Sequence, residues 1–585
     1  MPQLLRSNST VSKEEVGNTG SIVSDLALVG PEGRVGFRGL FGNKFILGIS
    51  LFSTLGGFVS FFLTVHQGVL SGVLTTESFG ATFPDIYVNQ KLKGWFVSTF
   101  VLGKSTWHVA SVCHGPVCDK IGRKICIICN AVIFLLGGSL QAGAISILYL
   151  FAGRAVAGLA IGSLTHVVPM YLAEISSANI RGTLVSLQQL AITFGVSETT
   201  NWIAYGTSHI RGTQCAPKIP YTEVLPNGML ASNPHTDVPP GGCAGQTQAS
   251  WRVPLAFQIL PALCLAIGML FMPYSPRWLV EQGREVEALE TLSRLRRKPT
   301  EDCSVRTEFL EIMAEARFAR ETMKAAYPNA GPVRRIINKY TVLMSSWPKS
   351  KRIFVGCLIM TFQQNMVGFQ RPLSSTVFGQ LGLDPNTTSL IATGVYGIVN
   401  MLATLPAIAL VDSVGRRPVL ISGAAGCLIC LAIVSIIITV YGKDWPAHAA
   451  AARIAIVFVF LYDVIFSYSW APMGWVVTSE IFPLHLRSTG TSITTSTMWL
   501  SNIAIGLFAQ TTMGPSVSGI VYYVYAVFCL AALLSAIFII PETKGRTLEE
   551  MDPVFRDNAT DSQREHKEGI RRELGLPDRA LLSAA

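Results

Sequence analysis

Charge is scarce in this 585-residue chain. Only 14% of its residues are Asp, Glu, Lys or Arg, 50% are hydrophobic, and the mean hydropathy is +0.43. Soluble globular chains carry about a quarter charged residues. A water-soluble fold is therefore excluded first, and a membrane-embedded one is expected. The first 43 residues contain no apolar core behind a basic start, so no cleavable signal peptide is expected. The first apolar span then acts as the insertion signal and leaves the N-terminus in the cytosol. Also missing are a phosphate-cradling Gly-rich loop, a nucleophile elbow and a metal-ligand cluster. No enzyme activity, no cofactor and no metal site is expected. The twelve cysteines lie mostly in apolar runs, where a cysteine is a small buried hydrophobe. The pairs Cys126/Cys129 and Cys427/Cys430 have Cys-x-x-Cys spacing but no ligand partners nearby in sequence. The net charge of +10 falls largely between apolar runs, the bias of cytoplasmic loops rather than of a nucleic-acid surface.

What is present is a succession of about twelve apolar runs, each near the ~20 residues a bilayer requires. They centre on 45–66, 95–116, 125–144, 147–171, 183–205, 252–273, 353–375, 388–411, 418–441, 452–476, 489–511 and 517–540. A polar stretch, Ser275 to Arg352, divides them six and six. Its 16 Lys/Arg against 10 Asp/Glu place it in the cytosol. The spacing of Val286, Leu289, Leu292 and Leu295 predicts an amphipathic surface helix there. The expected plan is an all-α membrane protein with 12 transmembrane helices in two six-helix bundles. A cytosolic tail (1–43) precedes the first bundle (44–274). The central loop (275–352) leads to the second bundle (353–541) and a cytosolic tail (542–585). Residues 1–43 and 553–585 have the composition of flexible tails. Residues 206–250, rich in Pro, Gly, Asn and Thr, read as a long outer loop. Its Cys215 and Cys243 are a disulfide candidate in an oxidising exterior. Asn386-Thr-Thr, in the next outer loop, is a glycosylation candidate.

The two halves repeat each other in charge. Glu174 and Arg181 stand seven residues apart where one apolar run ends, and Glu480 and Arg487 repeat that spacing in the second half. Asp119-Lys-Ile-Gly-Arg123 follows the second span, and Asp412-Ser-Val-Gly-Arg416 follows the eighth. Four matched clusters at one membrane side suit a cytoplasmic gate whose acids and bases pair across the halves when it is shut. Such a lock is expected to be worth only a few kcal/mol, because partly solvated pairs are weak and a two-state device needs states of similar energy. Gly158 and Gly162, upstream of Glu174, permit close helix approach.

Polar residues inside spans are costly unless they face a cavity or a partner. Amides donate and accept at once, and flat aromatic rings cover C–H surfaces, so a set of both suits a polyhydroxylated solute. The candidates are Gln188 and Gln189 in span five, and Gln363, Gln364, Asn365 and Gln370 in span seven. Asn400, Trp475, Trp499 and Asn502 complete the set from spans eight, ten and eleven. Each amide alone could equally be an interhelical hydrogen bond.

The motifs Gly122-Arg-Lys, Gly153-Arg, Pro169-x-Tyr-x-x-Glu174, Arg181-Gly, Ser275-Pro-Arg-Trp-Leu279, Asp412-x-x-Gly-Arg-Arg417, Ser479-Glu-Ile-Phe-Pro483 and Pro541-Glu-Thr-Lys-Gly-Arg546 span about residues 45 to 552. On these the chain resembles a sugar porter of the major facilitator superfamily, fungal in style. The resemblance implies two six-helix bundles around a central site, alternating access by rocking, and a cytoplasmic gate made of the charge clusters. It supports Gln189, Gln364, Asn400, Trp475 and Trp499 most directly as solute-binding residues.

Three departures stand out. First, His66 occupies the place where such porters usually carry an acid in the first span. In proton-coupled members that acid answers the arginine of span four, here Arg154. His66 either titrates or is a neutral hydrogen-bonding residue of a uniporter. Second, Phe369-Gln-Arg-Pro372 replaces the usual residues of span seven, and Arg371 within a span is a functional candidate. With His66, Lys104, His108, Arg154 and His166 it makes the interior look basic and short of acids. Third, Tyr274 stands where a glutamate is usual, while Pro541-Glu542 keeps its acid. The first expectation is a carrier of a sugar or sugar-like solute by alternating access, facilitative or proton-coupled. The alternatives are a carrier of an acidic, quinate-like polyol or secondary metabolite, including an exporter, and a non-transporting sugar sensor. The expected partners are the solute, the lipid bilayer and, if coupled, protons, with no nucleic acid. A monomer in the plasma membrane is expected.

Overall fold

The computed structural model describes parts of residues 73–99, then 114–193, parts of 203–231, 245–380, 387–441, 446–512, 520–546, 551–555 and 561–576, with short breaks. The expected spans at 45–66 and most of 95–116 lie outside the described residues, as do Asn386, Cys215 and Cys243. So do the side chains of residues 368–394.

In the first half, α1 (His114–Ile121) leads through Gly122 into α2 (Arg123–Ala142) and α3 (Ile147–Ile175). A turn then enters α4 (Arg181–Thr193). Among the described residues, the segment between α4 and the next span contributes β1 (Arg211–Gln214) and the short antiparallel pair β2 (Glu223–Val224) and β3 (Leu230–Ala231). The chain returns along α5 (Ala249–Phe271), which is irregular at Gln258 because Pro261 cannot donate back along the helix. The central loop folds as α6 (Pro276–Glu281), α7 (Glu285–Arg296), α8 (Cys303–Ala326) and α9 (Pro332–Met344). The second half runs through α10 (Trp347–Gln380), α11 (Thr387–Val414), α12 (Arg416–Tyr441), α13 (Ala449–Tyr468), α14 (Trp470–Glu480), α15 (Arg487–Thr512) and α16 (Ile520–Phe538). A final helix, α17 (Asp561–Glu573), closes the described chain.

Six helical stretches among the described residues are long and apolar enough to cross a membrane: α2, α3, α5, 397–414 of α11, α12, and α13 continued by α14. Their outer faces expose large apolar side chains, including Leu148, Phe271, Ile436 and Val457. A surface this apolar is costly in water and suits lipid. The protein is a multi-pass membrane protein, and its described spans are all α-helical, as lipid requires of backbone that must satisfy itself.

The amphipathic helix expected at 285–297 forms as α7, but its buried stripe is Ala288, Leu292 and Leu295, while Val286 is exposed. The supposed flexible tail after 552 is corrected in part. Residues 561–573 form α17, which packs on α8 through Ile570 and Leu576 against Ala314. Lys567 to Glu315 (2.6 Å) and Arg317 to Glu573 (2.9 Å) add ion pairs along that contact. The polar composition concealed one apolar edge, which a helix could bury.

Helices α2 and α3 meet closely at Gly137 and Gly153. A Cβ at Gly137 would lie 2.5 Å from the Ala157 nitrogen, and one at Gly153 would lie 2.9 Å from the Gly137 carbonyl oxygen. Both neighbours are backbone and cannot yield without moving a helix. Replacing Gly137 with Val is expected to destabilise the fold by about 1–3 kcal/mol through overpacking. A lowered thermal midpoint in detergent checks this, and an unchanged midpoint would contradict the packing.

Candidate functional site

The two halves carry matched turns at one end. Gly122 (φ 90°) and Gly415 (φ 113°) both occupy the left-handed region that favours glycine, and each is followed by a buried arginine that starts a helix. In the first half, Arg123 reaches Glu174 at 3.1 Å, Asp119 at 3.5 Å and Glu281 at 3.7 Å. Arg277 donates to the Glu174 carbonyl, and Lys339 of α9 pairs with Asp119 at 2.5 Å. In the second half, Arg416 reaches Glu480 at 2.8 Å and Asp412 at 3.0 Å, and the Thr543 hydroxyl donates to Glu480. Buried charges are tolerable only when paired in this way.

The two corners are closed by different chemistry. Glu542 accepts from the backbone N–H groups of Arg416, Arg417, Thr543 and Lys544, and so places a carboxylate at the N-terminus of α12. At the matching corner Tyr274 stacks on Trp278 (centroids 5.3 Å apart), Lys124 lies over the Tyr274 ring, and the Trp278 indole sits against Gly122. The Tyr-for-Glu departure thus replaces a carboxylate cap by an aromatic one. Outside the spans, burial alone would raise the Asp119 carboxyl, but Lys339 and Arg123 outweigh it and hold it below the usual carboxylate range. At Glu281 burial prevails over Arg123 and pushes the carboxyl up to about 7.

The halves touch directly above these corners. Asp412 of α11 accepts from the Thr183 N–H (2.8 Å) and the Thr183 hydroxyl (2.7 Å) of α4. A Cβ at Gly182 would come within 2.5 Å of Asp412 Oδ1. Arg181 donates to the Arg546 carbonyl, and His166 Nε2 hydrogen-bonds the Ser488 carbonyl oxygen at 3.0 Å. Arg487 reaches Glu174 at 3.9 Å. The expected pattern, acids paired with bases across the halves, is corrected in detail. The short ion pairs are within each half, and the cross-half bonds are mostly from charged or hydroxyl groups to backbone. Arg123 and Arg416 keep a strong acid within their own half, as a buried guanidinium requires, whereas Arg487 reaches its acid across the halves. Among the described residues the two halves are in direct contact at this end.

A second polar tier lies higher. Gln189 is six residues beyond Thr183 on α4, about 9 Å along the helix. It accepts from Trp475 Nε1 of α14 at 3.1 Å, across the halves. Trp499 Nε1 of α15 donates to the Thr165 hydroxyl of α3 at 3.3 Å, again across the halves. Within the second half, Asn502 Nδ2 donates to Gln364 Oε1 at 2.8 Å. Asn400 Nδ2 donates to Asp463 Oδ1 of α13 at 2.8 Å. Asn365 instead bonds the Thr361 carbonyl of its own helix, and Gln363 bonds the backbone of Trp470 and Ala471. These two are helix-packing amides in this state. Gln370 and Arg371 lie on α10, with side chains outside the described residues. His66, Lys104 and His108 lie outside them altogether. Arg154 is fully buried, with its guanidinium 4.4 Å from the Phe96 ring centroid. His166 belongs to the interface between halves rather than to a basic cavity.

Sequence reasoning missed Thr183, Thr165, Ser488 and Thr543, whose hydroxyls and carbonyls carry no signal in a span. It also missed Asp463, so the reading of an interior short of acids is corrected. That signal was present: an acid in the middle of the span 452–476.

If the Thr183 hydroxyl helps close the halves, Thr183→Val removes one charge-assisted hydrogen bond and weakens closure by about 1.5 kcal/mol. A cysteine introduced as Ser186→Cys, buried on α4, should then react with a cytoplasmic membrane-impermeant maleimide roughly tenfold faster than in the Thr183 background. Equal rates would contradict the closure.

Residues 47–555 match the family model described as sugar (and other) transporter. The glucose transporter GlcP of Staphylococcus epidermidis is 29% identical over 517 residues, covering 88% of this chain and 98% of that protein. The major facilitator-type transporter ecdD of Aspergillus rugulosus is 30% identical over 543 residues, covering 88% and 90%. Among solved structures, the major facilitator superfamily proton:xylose symporter XylE bound to 6-bromo-6-deoxy-D-glucose aligns with a TM-score of 0.66 at 24% identity. That alignment covers 88% of this chain and 99% of that one, and it shows the fold.

Proposed function

The chain belongs to the sugar transporter family of the major facilitator superfamily, and from that premise we propose that it carries a sugar or sugar-like solute across the plasma membrane by alternating access. No bond of the solute is made or broken. The single observation that supports this most is the tier of amide and indole groups joined across the halves, above a shut cytoplasmic interface. Gln189 to Trp475 and Trp499 to Thr165 are hydrogen bonds between the halves. A hydroxyl-rich solute offers the same donors and acceptors and can replace each of them at little net cost. A solute bound there would also contact both halves at once, which is what allows its binding to bias their rocking.

The cytoplasmic corners then serve as the resealable end. Their ion pairs within each half persist while the weaker cross-half bonds at Thr183, Arg181 and His166 break and re-form. The central-loop helices, tied to the first half through Lys339–Asp119 and Trp278 to the Asp119 carbonyl, brace that half. The carrier acts as a monomer, with all of these groups supplied by one chain.

In a host lacking its own hexose uptake, the protein is expected to catalyse saturable uptake or efflux of labelled D-glucose or D-xylose. Gln189→Ala should raise the half-saturating concentration about tenfold by removing one well-placed hydrogen bond. Val286→Ala, on the exposed face of α7, should leave it unchanged. Absence of any flux of hexose, pentose or polyol would contradict the proposal.

A further inference from the structure

Helix α9 turns apolar side chains outward. Its inner side carries Asn338, Lys339, Val342 and Leu343. Leu343 is fully buried in the main core, and Lys339 pairs with Asp119 of α1 at 2.5 Å. Its outer side carries Arg334, Ile337, Thr341 and Met344, all exposed. Ile337 and Met344 are seven residues apart and so stand nearly in line, two turns from each other. After a bend at Ser345 and Ser346 the spacing repeats on α10, where Trp347 and Phe354 are again seven apart and exposed. Met344 is 66% exposed and Trp347 72%.

The neighbouring helices of the central loop differ. Among the described residues, α6 and α8 expose no large apolar side chain, and α7 exposes only Val286. Helices α7 and α8 carry acids and bases together. From Thr322 through α9 to Arg352 there are seven Lys/Arg and no Asp or Glu. Arg352 is buried, and it donates to the Ile481 carbonyl at the level of the corners. Trp347 is five residues before it, about 8 Å further out along α10. An apolar row flanked by bases, with an indole where a span begins, has the composition of a helix lying in a headgroup layer. Long basic side chains can lay their stems along such a row and bring their charges to phosphate oxygens.

We propose that the outer side of α9 and the first turns of α10 form a docking surface for anionic lipid headgroups of the bilayer that holds the spans. Two features select this occupant. The apolar row continues onto α10, whose own apolar run is expected to enter the membrane at 353–375, so the surface is continuous with the lipid-facing one. Its charge is of one sign, complementary to anionic headgroups. Ile337, Met344 and Trp347 enter the headgroup boundary, and Arg334, Lys349 and Lys351 meet phosphate and carboxylate groups. Lys339 holds α9 to Asp119 of the first half, and α10 belongs to the second. Lipid bound here therefore sits on a strut that touches both halves. The proposal needs the chain to be embedded in a bilayer and does not need it to carry a solute.

The test places the photo-cross-linker p-benzoylphenylalanine at position 337, 344 or 286 of the full-length protein. Each variant is reconstituted in nanodiscs of phosphatidylcholine alone or with about 20% phosphatidylserine, a surface charged like an inner leaflet. After illumination, mass spectrometry counts lipid adducts. Positions 337 and 344 should give at least tenfold more lipid adduct than position 286 on α7. In the mixed discs phosphatidylserine should be enriched about threefold over its share. Raising the salt, or combining Arg334→Gln, Lys349→Gln and Lys351→Gln, should return that enrichment to the bulk ratio. The salt series on the otherwise wild-type chain decides the matter if the triple variant does not fold. Lipid adducts at 337 and 344 no more frequent than at 286 would overturn the proposal. So would adducts to a second protein chain in their place, or adducts to the two lipids in bulk proportion at low salt.

Discussion

A buried arginine must keep its acid. Arg123 and Arg416 are almost completely hidden from solvent at the starts of their helices, and an unpaired guanidinium there would cost several kcal/mol. Arg123 keeps Glu174, and Arg416 keeps Glu480, each inside its own half. Each half is thereby a unit that keeps its strong pair when it moves, while the longer Arg487–Glu174 contact spans the halves. What joins the units is weaker: a hydroxyl and an amide onto Asp412, a guanidinium onto a carbonyl, and an imidazole onto a carbonyl. The division of strong bonds within halves and modest bonds between them is what alternating access requires.

That division also orders the membrane interior. The indoles of Trp475 and Trp499 reach across to Gln189 and Thr165, so hydrogen bonds join the halves at this level as well. On the proposed reading, solute hydroxyls compete with such bonds on nearly equal terms, which would let binding shift the balance between closed and open by a small free energy. The asymmetry between corners, Glu542 at one and stacked Tyr274 and Trp278 at the other, shows that the two halves need not be sealed by the same chemistry.

Much of this was legible in the residues. Charges in an apolar chain stand out, so Glu174/Arg181 and Glu480/Arg487, with the Gly-Arg turns at 122–123 and 415–416, displayed the twofold plan. Hydrophobic run lengths displayed the helices, including α7 at its predicted place. Partnership was not legible. Arg487 and Glu174 are more than three hundred residues apart in the chain, and nothing local says whether an acid will face its own half or the other. Hydroxyls such as Thr183 carry no hydropathic signal, so the bonds that close the interface were invisible. Asp463 was visible but was masked by the apolar average of its span. The apolar edge of α17 was hidden in the same way by its polar surroundings.

The central claim is that this interface opens and closes during transport, and a reversible cross-link tests it most directly. Gly115 of α1 and Ser488 of α15 approach across the halves, with a Cβ at Gly115 only 3.0 Å from the Ser488 carbonyl oxygen. With Gly115→Cys and Ser488→Cys combined, and each single variant as control, mild oxidation should stop solute flux and reduction should restore it. Flux that continues undiminished through the cross-linked protein would contradict the account.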